Sequence, residues 1–419
     1  MKIINQIKHQ FFKPNSSFDF GYFSFQAGIF LLASAPFFAI LFFLISLLSK
    51  KNIKDKAYFK DPWNYPFFLS GILMIISVIK ISNVNENIIN YVHDPTLSIL
   101  GLFNWIPFFW IFWGLQIYLN TKEKRIKTIF LLISGSIPLI FSGLGQYFFK
   151  WYGPFEILNG LIIWFQRPLN SDMGLTGLFN NQNYAACWLV VVFPFTLVFL
   201  LKSKEVKIKR VFSLIIFTFF TLTTILTTSR NAFLGLAISA TFLIRKRFLV
   251  IVILFLAAIL ITNHEIFLKQ LQNLNFENLK AEERFEVWGQ AITLISERKL
   301  FGWGASSFPN VLYLKNGFSQ SQHTHNLLLD IAFSYGIPIS LLLNTSIYYL
   351  IYQSLFTLNT KKNEEELHDK AWISSIICYL SFHFFDLTYF DVRINLIFWI
   401  LLAGIRNIVK EKKRNLKKT

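Results

Sequence analysis

Long apolar stretches, separated by short polar loops, follow one another along almost the whole chain. About eleven of them have the length, or nearly the length, that a helix needs to cross roughly 30 Å of hydrocarbon. They lie at 27–48, 66–80, 97–119, 128–149, 184–201, 211–227, 231–244, 248–262, 337–356, 371–389 and 394–409. The pattern predicts an all-α polytopic membrane protein with about 11–12 transmembrane helices.

One polar segment, 263–336, is much longer than the other loops. We interpret the whole chain, residues 1–419, as a single integral membrane domain, and this segment as a long loop that holds candidate catalytic residues. The loop is expected to contain short amphipathic helices, and the helical spacing of apolar residues predicts one at 281–295. Its apolar face is predicted to consist of Phe285, Trp288, Ile292 and Ile295.

Charge sorts the loops into two groups. The net charge is +18, although only 15% of the residues are charged. Most lysines and arginines fall in alternate loops, at 50–60, 122–127, 202–210, 245–247, 361–370 and 406–418. The positive-inside rule places these loops in the cytoplasm. Because this accounts for the positive net charge, the charge does not indicate nucleic-acid binding, and we exclude nucleic acid as a partner.

The remaining loops then face the opposite side of the membrane. They lie at 81–96, 150–183, 229–231, 263–336 and 386–393. We therefore predict a multi-pass membrane protein whose active face is the non-cytoplasmic one. The N-terminus is inconsistent with this scheme, because a span at 27–48 would place the basic residues Lys2, Lys8 and Lys13 outside. A break at Pro36, which would make the preceding residues re-entrant or interfacial, is the alternative.

Two arginines of the predicted outer loops are candidates for a functional role. Arg230 lies at the tip of a tight helical hairpin, and Arg284 lies one helical turn before Trp288. Each arginine has an ordinary interpretation, as a side chain that snorkels to the interface or is solvated on an interfacial helix. Each can also bind phosphate, because a guanidinium offers a rigid fork of donors to phosphate oxygens.

Histidine and asparagine stand where the long loop meets an apolar helix, in the sequence Gln322-His323-Thr324-His325-Asn326. A histidine there can accept a proton near neutral pH, and His325 is the first candidate, with His323 in reserve. Polar residues that cap a helix start are the alternative. On a helix the two histidines would point to different faces, so we predict no metal site.

Two further polar groups are candidates. His383, Asp386, Asp391 and Arg393 form a charged cluster near the C-terminus, which favours a supporting ion pair. Asn183 precedes an apolar span and suits either a helix cap or a contact with a sugar or headgroup.

Taken together, these motifs resemble the O-antigen ligase and polymerase family. The segment Gly177-Leu178-Phe179-Asn180-Asn181-Gln182-Asn183 is similar to the start of a middle helix in that family, and Ser229-Arg230 to its hairpin tip. Arg284 and Trp288, followed by Gly302-Trp303-Gly304, resemble its long-loop motif. His323-Thr324-His325-Asn326 with Gly336-Ile337 resembles its histidine element, and order and spacing agree from about residue 130 to 405.

The resemblance implies a metal-independent glycosyltransferase without cofactors. Its donor would be a glycan on undecaprenyl diphosphate, and its acceptor a sugar hydroxyl on lipid A-core or, in a polymerase, on another glycan. By the same resemblance we assign Arg230, Arg284 and His325 to catalysis. Substrate contacts are assigned to Asn183, Trp288, His323, Asn326 and Arg393.

A transporter is the alternative from a different class. Residues 385–393 also resemble an element of cyanobacterial relatives, some of which are described as inorganic-carbon (bicarbonate) transporters. A transporter is expected to show inverted repeats or broken helices near the midplane, and the sequence shows neither clearly.

Overall fold

The computed structural model describes residues 19–49, 58–84, 92–170, 173–203, 207–244, 283–317, 321–358 and 366–416. In these ranges the helices are α1 Phe20–Leu31, α2 Pro36–Leu47, α3 Asn64–Ser82, α4 Pro95–Leu102, α5 Ile106–Gly114, α6 Lys122–Gly135, α7 Ile137–Phe149, α8 Gln182–Lys202, α9 Lys207–Leu226, α10 Arg230–Leu243, α11 Glu283–Glu297, α12 Phe308–Asn316, α13 Leu327–Tyr335, α14 Ile337–Leu358, α15 Leu367–His383 and α16 Val392–Leu416. Short 3-10 turns occupy Tyr58–Lys60 and Leu115–Leu119, and two strands, β1 Phe155–Ile157 and β2 Ile162–Trp164, pair antiparallel.

The predicted fold class is confirmed: the protein is an all-α polytopic membrane protein. Six helical stretches of the described chain are long and apolar enough to span a membrane, namely Asn64–Ser82, Pro95–Leu119, Lys122–Phe149, Gln182–Lys202, Ile208–Leu226 and Val392–Asn415. The predicted span 248–262 and the first part of the long loop, 263–282, lie outside the described residues.

The prediction of one span at 27–48 is wrong, because this region folds as an antiparallel helical hairpin. The Ser46 hydroxyl donates a hydrogen bond to the Gly21 carbonyl at 3.0 Å, and a Cβ on Gly28 would meet the ring of Phe43.

Pro36 begins α2, where its missing N–H costs nothing. Twelve residues per helix give about 18 Å, which is too short to cross the bilayer. We therefore expect the hairpin to be re-entrant, with residues 19 and 49 on one side of the membrane.

Three other predicted spans also differ from straight helices. The stretch at 97–119 is divided between α4, α5 and the following 3-10 turn, and the stretch at 128–149 is divided between α6 and α7. The span predicted at 371–389 corresponds to α15, which ends at His383. The residues after His383 form a loop. This loop, 384–391, contributes to the candidate site described below.

One end of the bundle, here called the basic end, collects the helix ends that flank the predicted basic loops. The Arg125 side chain is buried there, and its Nη2 lies 2.8 Å from Glu411 Oε2 and 3.4 Å from Asp369 Oδ1. These contacts join the start of α6, the start of α15 and the end of α16. The Tyr118 hydroxyl, which lies just before α6, also contacts Ser49 at 2.7 Å, so the open end of the re-entrant hairpin belongs to this basic end.

The opposite end, here called the site end, collects the predicted functional segments. Helix α8 and helix α10 begin there, α15 ends there, and α16 begins there. The described part of the long loop folds over this end around a small apolar core of its own. Its buried members include Val287, Trp303, Phe308, Val311 and Phe333.

The re-entrant hairpin generates a prediction about topology. A single cysteine at Asp19 or at Leu48 should react with a membrane-impermeant maleimide only after the inner membrane is permeabilised, because both positions lie at the basic end. A cysteine at Lys413, at the end of α16, serves as the matched control for that side. A cysteine at Gln290 in α11 should instead react in intact spheroplasts.

Labelling of Asp19→Cys and Leu48→Cys from opposite sides would restore a single span and contradict the hairpin. Both native cysteines, Cys187 and Cys378, are buried and should not contribute to the signal.

Candidate functional site

The side chains of His325 and Asp386 meet at the site end. His325 Nδ1 lies 3.2 Å from Asp386 Oδ1, although the two residues are 61 positions apart. Helix α13 begins only at Leu327, and His325 has a left-handed φ of 52°, so the histidine lies in the turn before the helix. This turn directs the imidazole toward the loop 384–391 instead of along α13.

Asp386 is buried and accepts hydrogen bonds from two further donors. Asn183 Nδ2 donates to Oδ2 at 2.7 Å, and the Leu387 N–H donates to Oδ1 at 2.8 Å. Burial alone raises the pKa of Asp386, but the hydrogen bond and charge of His325, with smaller contributions from His323 and Leu387, bring it below its usual value. The carboxyl group is therefore ionised at neutral pH and can only accept hydrogen bonds.

The ionised carboxylate fixes the tautomer of His325. Because Asp386 only accepts, the Nδ1 of His325 must carry the proton between them, and the neutral ring then has its lone pair on Nε2. The His325 side chain is 28% exposed. An imidazole held in this way by a carboxylate is the arrangement of a positioned general base.

His323 lies against His325 and not on a separate face. The two ring centroids are 4.3 Å apart, and the His323 ring stacks on Phe390 at 6.1 Å. The expectation that the histidines diverge is wrong, because it assumed a helix where the chain forms a turn. Burial, together with the charge of His325, lowers the pKa of His323 to about 4, so its imidazole is neutral at neutral pH.

Helix α11 brings Trp288 and Arg284 to the same place. The Trp288 ring lies 5.6 Å from Phe384 and 6.2 Å from Phe385, which ties α11 to the loop 384–391. The charge of half-buried Arg284 reaches the imidazole of His323 and is one of the causes of its lowered pKa. Arg284 lies one turn before Trp288 on the helix that packs against the loop 384–391.

The face on which α11 packs differs from the prediction. The helix itself is confirmed at Glu283–Glu297, but Val287, Ala291 and Leu294 are buried, while Phe285 and Ile292 are 47% and 58% exposed. Of the other two predicted members of the face, Ile295 is buried and Trp288 is half-buried. The predicted apolar face is therefore confirmed in part.

Arg230 is the exposed first residue of α10. Two hydrogen bonds connect the turn before Arg230 to α8 through the segment 174–175. The Leu175 N–H donates to the Leu226 carbonyl at 3.0 Å, and the Gly174 N–H donates to the Gln182 side chain. These bonds join the hairpin tip to the start of α8, one residue from Asn183. The structure thus places Arg230 at the same end as His325.

Arg393 and Asn326, which the sequence assigns to substrate contacts, are both buried. Arg393 Nε donates to Asp391 at 2.8 Å, and its guanidinium also covers the ring of Phe179. Asn326 caps α13 and donates from Nδ2 to the Phe384 carbonyl at 3.1 Å. These contacts favour a role in positioning the loop 384–391, and the ion pair expected in the C-terminal cluster forms between Asp391 and Arg393.

Asp386 is the member of the candidate site that the sequence does not predict. The sequence groups it with the C-terminal ion pair, whereas its side-chain partners are Asn183 and His325. Its neighbours in sequence give no signal of this, because both partners come from distant segments. Among the described residues His323, His325 and Asp386 also form the one group of three side chains whose potential metal-ligand atoms all lie within 4.8 Å of one another.

The fold and the site define a polytopic membrane protein with a histidine, a carboxylate and two arginines at one end of its bundle. Residues 214–344 match the model of the O-antigen ligase family, which confirms the resemblance drawn from the motifs. The match supports a membrane glycan transferase of the O-antigen ligase or polymerase type. It includes Arg230, Arg284, Trp288 and His325 but neither Asn183 nor Asp386. No curated protein matches the chain.

Proposed function

We propose that the protein transfers a glycan from undecaprenyl diphosphate to a sugar hydroxyl on the periplasmic face of the inner membrane. The acceptor belongs to lipid A-core in a ligase or to another glycan in a polymerase. The contact between His325 and the ionised Asp386 carries the proposal, because it prepares a base with a free lone pair at the end of the bundle that also holds Arg230 and Arg284. A hydroxyl group needs such a base to become an effective nucleophile.

The transfer is a direct displacement at the anomeric carbon. The acceptor hydroxyl gives its proton to Nε2 of His325 while its oxygen forms the new bond to that carbon. The bond between the anomeric carbon and the diphosphate oxygen breaks, so the electron pair leaves with undecaprenyl diphosphate. Attack from the side opposite the leaving group inverts the configuration. Asp386 stabilises the imidazolium that forms, as a carboxylate does when it accepts from the other ring nitrogen.

The departing diphosphate needs positive charge, and arginine can supply it without a metal ion. Arg284 lies on α11, one turn before the Trp288 that packs against the loop 384–391. Arg230 lies at the start of α10, where the positive end of the helix dipole adds to its charge. Fixed cations in a partly dry site stabilise developing negative charge more strongly than water does. The proposed reaction is therefore independent of Mg²⁺.

Removal of His325 tests the proposed base. In purified protein with EDTA present, His325→Ala should slow transfer from undecaprenyl-diphosphate glycan by about 10²–10⁴-fold, the usual contribution of a positioned proton acceptor. Binding of the donor should survive, because both arginines remain. His93→Ala is the matched control, since His93 also lies at the site end but contacts only Ser82 and Ser98 among the hydrogen bonds of the described chain.

Wild-type transfer by the His325→Ala protein would remove this residue from the mechanism. Altered uptake of a solute such as bicarbonate, without any change in glycan transfer, would favour a transporter.

Replacement of Arg284 by lysine tests the diphosphate contact. Lysine keeps the charge but loses the planar fork, so Arg284→Lys should abolish most transfer while the protein still inserts in the membrane. Arg298→Lys is the control: Arg298 lies just after the same helix, and its guanidinium covers Trp303. Near-normal glycan in the Arg284→Lys strain would show that no bidentate contact with the diphosphate is needed there.

A further inference from the structure

Three side chains at the candidate site have the composition of a transition-metal site. His323, His325 and Asp386 offer two imidazole nitrogens and one carboxylate oxygen, all within 4.8 Å of one another. Bonds of about 2.0–2.1 Å to a tetrahedral zinc ion separate ligand atoms by about 3.3–3.5 Å. The 3.2 Å between His325 Nδ1 and Asp386 Oδ1 already matches this spacing, and His323 has to approach from within 4.8 Å.

A second observation concerns the ligand atom of His323. Its Nδ1 is buried and has no hydrogen-bond partner among the residues that the structure describes. A buried polar atom without a partner costs free energy, and a metal ion would satisfy it. The second oxygen of Asp386 is held by Asn183 at 2.7 Å, as metal-binding carboxylates commonly are by residues around the site.

The ligand set selects the class of metal. Imidazole suits Zn²⁺, Ni²⁺ and Cu²⁺, whereas Mg²⁺ and Ca²⁺ prefer sites made wholly of oxygen atoms. Three protein ligands leave one position of a tetrahedral ion open to water or to a substrate oxygen. Zn²⁺ is therefore the ion that these residues fit best.

We infer that His323, His325 and Asp386 form a reversible Zn²⁺ site whose occupation inhibits the protein. The inhibition rests on the proposed role of His325 as base. If Zn²⁺ binds Nε2, it takes the lone pair that should accept the proton. If it binds Nδ1, it displaces the proton that this nitrogen donates to Asp386. The single N–H proton of the neutral imidazole then lies on Nε2, which no longer has a lone pair to accept a proton. Coordination through either nitrogen abolishes the base.

The binding experiment uses the full-length protein in nanodiscs, titrated with Zn²⁺ in a calorimeter. We expect one Zn²⁺ per chain, no binding of Mg²⁺, and a visible absorption band typical of tetrahedral coordination when Co²⁺ replaces Zn²⁺. His323→Ala and Asp386→Ala should each lose stoichiometric binding, and Asn183→Ala should weaken binding by about 10–100-fold. His93→Ala should bind as the wild type does, and thermal unfolding of each variant checks its fold.

The transfer experiment adds Zn²⁺ to the wild-type protein and then removes it with EDTA. Reversible inhibition that follows the occupation of the single site supports the inference. Absence of stoichiometric binding, or binding unchanged in His323→Ala, overturns the site, and activation by Zn²⁺ overturns its inhibitory role. A protein that binds Zn²⁺ at these residues but shows no glycan transfer under any metal condition would contradict the proposed function while leaving the metal site intact.

Discussion

The buried carboxylate of Asp386 is the feature on which the organisation of the site end depends. It accepts hydrogen bonds from His325, 61 residues before it, and from Asn183, 203 residues before it. It thereby joins the start of α8, the turn before α13 and the loop between α15 and α16. A buried charge is costly unless several donors satisfy it, so the three segments are held in one arrangement. The same bonds that satisfy the charge fix the tautomer of His325, so folding and chemistry share one interaction.

The rest of the bundle presents this site at one of its two ends. Arg125, Asp369 and Glu411 join helix ends at the basic end, where alternate loops carry most of the positive charge. The site end carries the folded part of the long loop, whose core around Trp303 and Phe333 holds α11 over the loop 384–391. The two ends therefore differ in chemistry as well as in charge.

Much of the fold could be predicted from hydropathy, because lipid requires long apolar helices whose backbone bonds are internal. The failure at 27–48 has a physical cause: two short apolar helices separated by a turn have nearly the same hydropathy as one long helix. Pro36 was the signal of the break, and the basic N-terminus indicated which alternative was correct. The end of α15 was missed for a similar reason, since the loop 384–391 is itself rich in aromatic residues.

The site was predicted only in part. The positions of His325, Arg284 and Arg230 were identified by motif and by their place at the ends of apolar stretches, and the structure brings them to one end. The pairing of His325 with Asp386 could not be predicted, because spacing within a helix says nothing about contacts between distant segments. The prediction that the His323 and His325 side chains point to different faces is wrong, because the spacing of apolar residues does not reveal the left-handed turn at His325.

A double-mutant cycle tests most directly whether Asp386 acts through His325. Transfer rates would be measured for the wild type, His325→Ala, Asp386→Asn and the double variant, with folding checked by thermal unfolding. If the carboxylate serves only to orient and stabilise the imidazole, the double variant should be no slower than His325→Ala alone. Losses that multiply in the double variant would show that the two residues act independently and would contradict the pair.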